Sequence, residues 1–132
     1  MEKEGRASLW VGHAESADAL KEFIQTRYTK EGNAIPSPFS REFGIDEYDK
    51  DFTEWMFRDA PSRSIRELLK PHSFSDQIAP KIIERVGELL PAPANAVILL
   101  HQFDYNGSKS RKSSGGISVS FVGSVSFDPN VD

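Results

Sequence analysis

Apolar residues fall on both sides of the first extended segment of the chain. Leu9 and Val11 share one side of residues 7–11 and Trp10 takes the other, which predicts a strand that Gly12 ends. Ser16 is then placed as a helix N-cap, with Asp18 in the first turn where an acid suits the helix dipole. Leu20, Phe23, Ile24 and Tyr28 follow at helical spacing, so residues 17–28 read as an amphipathic helix, stopped by Glu31-Gly32-Asn33. Ser37 caps a short helix with Pro38 at its first position, Phe39 and Phe43 on one face and Gly44 as its stop.

The middle of the chain is ambiguous by period. Phe52, Trp55 and Met56 fit a helix, while Thr53, Trp55 and Phe57 fit one face of a strand; a strand over 52–57 is the reading adopted. Ser64-Ile65-Arg66-Glu67 is a capping-box pattern opening a helix through Leu68 and Leu69, which Pro71 ends. A longer helix starts at Ser75 or Asp76, with Pro80 near its first turn. Ile78, Ile82, Ile83, Val86, Leu89 and Leu90 line its apolar side as far as Pro91-Ala92-Pro93. Residues 96–103 are strongly apolar, as a central strand buried on both sides should be. Residues 117–127 alternate around a candidate bulge at Gly123, and 106–116 read as a flexible polar hairpin loop with three cations.

The resulting order is β-α-(short α)-β-α-α-β-β. It predicts an α+β fold spanning 1–132 as a single domain: a roughly four-stranded, mostly antiparallel sheet, helices packed on one face, and a C-terminal β-hairpin. A chain of 132 residues is one domain long and buries about two-thirds of its unfolded surface, enough for a core without staples. Nine Phe, three Tyr and two Trp supply that core with large apolar side chains.

The absence of cysteine excludes disulfides, thiolate metal sites and a Cys nucleophile, and fits a reducing compartment. No apolar run reaches signal-peptide or membrane-span length, so neither export nor a membrane partner is expected. The net charge of −4 disfavours nucleic acid and suits a basic protein partner.

Catalytic patterns are missing. His13, His72 and His101 form no metal-ligand spacing, the serines no nucleophile elbow, and Gly115-Gly116 no phosphate loop. Asp46, Glu47, Asp49, Asp51 and Glu54 crowd together with Tyr48, Phe52 and Trp55 between them. Asp49-Lys50-Asp51 opens like a calcium loop, but Thr53 and Trp55 occupy positions such a loop cannot spare. A solvated turn is the plain reading of this run. The functional one is a recognition surface, since aromatic anchors beside charge are what protein interfaces use. Asp46, Glu47, Tyr48, Asp49, Asp51 and Glu54 are the candidate contact residues.

Leu9-Trp10-Val11-Gly12, the helix with Ala19-Leu20-Lys21-Glu22-Phe23, and Ser37 through Ile45 form an ordered series. Tyr48-Asp49-Lys50-Asp51-Phe52-Thr53-Glu54, Ile65 through Leu69, and His72-Ser73-Phe74-Ser75 continue it. With this series, through about two-thirds of its length, the chain resembles the immunity protein 22 family of bacterial toxin–immunity systems; the hairpin from Ala96 on adds little to the pattern. The resemblance implies a non-enzymatic cytoplasmic protein that binds a cognate protein toxin and blocks it, with no catalytic residue, metal or cofactor. From charge, a basic toxin such as a nuclease is the expected partner, and a monomer or weak homo-oligomer the expected state. Two other readings stand beside it: a small metal-dependent hydrolase using Asp49, Asp51, Glu54 and His72, and an adaptor that dimerises through a strand edge.

Overall fold

A computed structural model describes residues 1–46, 48–107 and 111–131, and for 111–114 the backbone alone. The elements in chain order are β1 (Glu2–Ala14), α1 (Ala17–Ile24), β2 (Arg27–Tyr28), β3 (Ala34–Ile35), α2 (Pro38–Phe43), a 3-10 turn (Lys50–Phe52) and β4 (Thr53–Ser64). They continue with α3 (Ile65–Leu69), α4 (Ser75–Val86), β5 (Leu89–Phe103), β6 (Arg111–Ser114) and β7 (Ile117–Ser126). Five strands form one antiparallel sheet in the order β4-β5-β1-β7-β6, and β2 and β3 form a separate ribbon. The α+β class, the antiparallel pairing and the C-terminal hairpin agree with the sequence reading.

The helices do not share one face. Leu9 and Val11 of β1, with Val97 and Leu99 of β5, pack against Leu68 and Leu69 of α3 and Ile78 and Ile82 of α4. Trp10, Ile98 and Leu100 point the other way, onto Leu20 and Phe23 of α1 and Phe39 and Phe43 of α2. Successive residues of a strand face opposite sides. A central strand with apolar residues on both faces therefore needs a helical layer on each, here one pair above and one below.

Several boundaries move for local reasons. Gly12 does not end β1; it pairs with Ala96 on one side and Val119 on the other, and the strand runs on to Ala14. There the Asn95 amide accepts from the Ala14 N–H and donates to the Ala14 carbonyl at 2.8 and 3.0 Å. Helix α1 stops at Ile24 because Gln25 is extended (ψ 127°), so Tyr28 lies in the ribbon rather than on the helix's apolar face. Helix α4 stops at Val86 because Gly87 takes φ 88°, and Leu89 and Leu90 open β5. Pro80 sits inside α4 rather than at its start.

The bulge read at Gly123 is present: Leu9 pairs with Gly123 and Trp10 with Phe121, leaving Val122 extra. It reverses the strand's facing. Ile117 and Val119 pack with Trp10, whereas Val125 and Phe127 pack with α3 and α4. Residues 111–114, read as loop, form β6, joined to β7 by Gly115 and Gly116 at φ 46° and 83°. Lys109 of the basic loop lies outside the described residues.

Candidate partner-binding surface

The acidic run is built as a loop leading into an edge strand. Gly44, at φ 67°, turns the chain out of α2, and buried Ile45 anchors it. Asp46 follows, exposed; Glu47 lies outside the described residues. The Tyr48 hydroxyl donates to the Ile24 carbonyl at 2.6 Å and shares a hydrogen bond with Ser37 at 2.9 Å, while its ring packs edge-on against Phe39. Burial holds its pKa above the ordinary phenol value, against the opposing effect of the Ser37 and Ser40 hydroxyls. Tyr48 thus fixes the loop to the core more than it offers a free contact.

Asp49 accepts from the Asp51 N–H at 2.8 Å, and its carbonyl accepts from Phe52 N–H and the Thr53 hydroxyl. These bonds close the 3-10 turn and leave the Asp51 side chain in solvent. Along β4, Trp55 and Phe57 sit opposite Ile98 and Ala96, on the α1/α2 side. Glu54 immediately precedes Trp55 and so faces the other side. β4 is an outermost strand, and the α1/α2 layer leaves Trp55 39% and Phe52 45% exposed. Across from Trp55 the ribbon presents Tyr28, 64% exposed, while Phe52 borders a separate pocket with Leu100 and Phe103. Between ribbon and strand runs a groove of about 1110 Å³ whose walls include Tyr28, Asp46, Asp49, Thr53 and Trp55.

The six candidate residues therefore do not act as one group. Asp46 and Asp49 are exposed at the groove, Asp51 is exposed on the 3-10 turn, and Tyr48 supports the loop that carries them. Glu54 is engaged on the opposite face, where its carboxylate accepts from His72 Nδ1 and from the Ser73 N–H, both at 3.0 Å. Sequence reasoning missed Tyr28, which continued the apolar stripe of α1 and was placed inside. The available signal was the Gly32-Asn33 turn between two short extended pairs, closed by Thr29 N–H to the Asn33 carbonyl at 2.9 Å.

The hydrolase constellation is not assembled. Asp49 is committed to its turn, and Glu54 meets His72 on the far side of the sheet. Among the described residues no three His, Asp or Glu side chains stand close enough to share a metal ion. No helix among the described residues is long and apolar enough to cross a membrane.

The family description immunity protein 22 matches residues 7–128. The chain belongs to that family. The match takes in every strand of the sheet except the first residues of β1, so the C-terminal hairpin that added little to the sequence pattern is part of the family's domain. Comparison with curated proteins and with solved structures gives no match. On the face of the sheet behind the groove, the Glu54–His72 contact supports β4 from the segment after α3.

That support is sensitive to acid. Burial lowers the His72 pKa below its ordinary 6.5, against the opposing effect of Glu54, so at neutral pH the ring is uncharged. A carboxylate only accepts, so Nδ1 carries the proton; Nε2 is then a bare lone pair and has no partner among the described residues. Burial alone would raise Glu54, but the hydrogen bonds from Ser73 and His72 outweigh it and the net pKa falls below 4.5. Both groups are depressed in the folded state. The unfolded chain therefore takes up protons first, and stability falls as pH drops below 6.5, then further below 4.5. The urea midpoint is expected to fall from about pH 7.5 to about pH 5.5, and His72→Gln to flatten that part of the profile. An unchanged slope in the variant assigns the dependence to other groups.

Proposed function

We propose that this immunity protein 22 member neutralises a cognate protein toxin in the cytoplasm. It binds the toxin through the groove that Tyr28 and Trp55 border and that Asp46 and Asp49 line, together with Asp51 on the adjoining turn. The observation that supports this most is the exposure of Phe52, Trp55 and Tyr28 beside those carboxylates. Large aromatics left in solvent next to charge are the residues from which interface hot spots are made. Of the chain's negative charge, residues 46–59 hold six carboxylates against Lys50 and Arg58, an excess equal to the net −4 of the whole protein. Such a surface suits a basic toxin, a nuclease among them, and speeds encounter by steering.

The test is capture from a lysate of the producing bacterium with this chain as bait, beside a variant carrying Asp46→Lys, Asp49→Lys and Asp51→Lys. The captured protein is then purified and assayed for toxicity and for its neutralisation. Wild type should neutralise it, and the triple variant should lose affinity mainly through a slower, salt-dependent association rate. Equal neutralisation by both baits moves the interface elsewhere. Trp55→Ala should cost about 2 kcal/mol or more of binding, by calorimetry, with little change in melting temperature because the side chain is not core. A variant that melts early yet binds normally reverses that assignment.

A further inference from the structure

We infer that the toxin docks by adding an extended, cationic segment of its own to the outer edge of β4, as a sixth strand of the sheet. The inference deepens the proposed function and rests on it. β4 ends one side of the sheet. It pairs with β5 from Thr53 opposite Leu100 to Phe57 opposite Ala96, and among the described residues no other element hydrogen-bonds to the backbone of 54–57 from the far side. An edge strand presents alternate N–H and C=O groups outward, and strand addition uses them for affinity while neighbouring side chains give selectivity.

The usual protections of an edge are absent from this stretch. Residues 53–57 contain no Pro, Gly or Lys; Pro61 and the register shift that follows Phe57 lie beyond it. The groove beside the strand has room for an extended chain, with Tyr28 and Trp55 on facing walls to lie against it.

Charge selects the occupant. Two copies of this protein pairing antiparallel with full overlap of 53–57 would centre on Trp55. The turn that carries Asp51 in one copy then comes near the Asp59 end of the other, at both ends of the pairing. Like charges brought together there disfavour that dimer, and both Asp residues are exposed. The same carboxylates favour a partner strand with cations near its ends. Arg58 does little to offset them, since it is held by Glu67. Lys21 of α1, Arg27 of the ribbon and Lys50 of the turn line the groove beside Asp46 and Asp49, so the excess of carboxylates belongs to the run 46–59 that carries the edge and not to the groove itself. Glu54 is occupied by His72 and Ser73 and takes no part.

The test has two arms. In the free chain, alternate amides over 54–57 should exchange about tenfold or more faster than their inward neighbours, and Asp59→Lys should sediment as a dimer where the wild type does not. Uniformly slow exchange with a monomeric Asp59→Lys variant overturns the inference without reference to any toxin. In the complex with the toxin purified from the capture experiment, the fast amides should slow by about tenfold or more. Pro placed at one of them spares the β5 ladder and should weaken binding about a hundredfold at unchanged melting temperature. A toxin that binds while exchange over 54–57 stays the same overturns strand addition and leaves neutralisation standing. A captured protein that this chain does not neutralise removes the proposed function, and the docking mode with it.

Discussion

Replacing Trp10 with alanine is expected to lower stability by about 3–5 kcal/mol, the range for emptying a large aromatic site in a core. Trp10 is fully buried, and its ring meets Phe39, Phe43, Tyr105 and Phe121 at centroid distances of 4.9, 5.7, 5.3 and 5.2 Å. It is where β1 touches α2, the segment after β5, and β7 at once. The neighbouring rings are themselves stacked on one another, Phe39 on Phe43 and Tyr105 on Phe121, so they cannot all close into the space. Against a domain stability of about 5–15 kcal/mol this is a large share. The melting temperature should drop by about 10–20 °C. Trp10→Phe should cost much less. The indole N–H has no hydrogen-bond partner among the described residues, so losing it orphans nothing. If alanine and phenylalanine prove equally damaging, the site depends on the indole N–H after all and the packing account is wrong.

The same residue shows what periodicity reveals and what it leaves out. Leu9, Trp10 and Val11 are all apolar, so each face of β1 asks for cover. Residues 96–103 ask for the same, and their reading as a doubly buried strand agrees with the structure. Which helix covers which face carries no local mark, because it depends on how the chain crosses the sheet between α2 and α3. Placing all helices on one side contradicted the strand's own composition. At Tyr28 and Leu89 the failure is of another kind. Both extend a helical stripe at the right spacing, but the backbone has already left the helix, at Gln25 and Gly87. A stripe records side-chain spacing and not the conformation between its members, and the Gly87 stop was the legible signal.

The candidate surface was legible in part for a related reason. Charge density needs no geometry to be seen, and Asp46, Asp49 and Asp51 are exposed as a polar run between core segments should be. The direction of each side chain does need geometry. The alternation of Thr53, Trp55 and Phe57 already implied that Glu54 points away from them. Its partner His72 comes from beyond α3, a pairing the sequence does not show. The third reading, self-association through a strand edge, becomes a specific question about β4, where Asp51 and Asp59 decide between a second copy and a cationic partner.

Gly12→Ala should be as damaging as any single methyl group in this protein. A Cβ built on Gly12 lies 1.9 Å from the Ser118 carbonyl oxygen and 2.7 Å from Val119 Cα. Both are backbone atoms of the paired strand, so no side chain can swing aside. β1 and β7 must separate locally, which strains the ladder from Val11–Ser120 to Ala14–Ile117 and lifts Ile117 and Val119 away from the Trp10 cluster. Overpacking of this sort costs about 3 kcal/mol or more when the obstacle is main chain. Gly32→Ala is the instructive contrast. Gly32 has φ 86° but open space around its Cβ position, so its cost is conformational, about 1 kcal/mol, and confined to the ribbon turn. Thermal melts should separate the two variants clearly, and amide exchange should locate them. Gly12→Ala should lose protection along β1 and β7 while β4 and β5 keep theirs. Equal melting temperatures for both would mean that the strands part without penalty, and the reason offered here for glycine in the Trp10-Val11-Gly12 motif would fail with them.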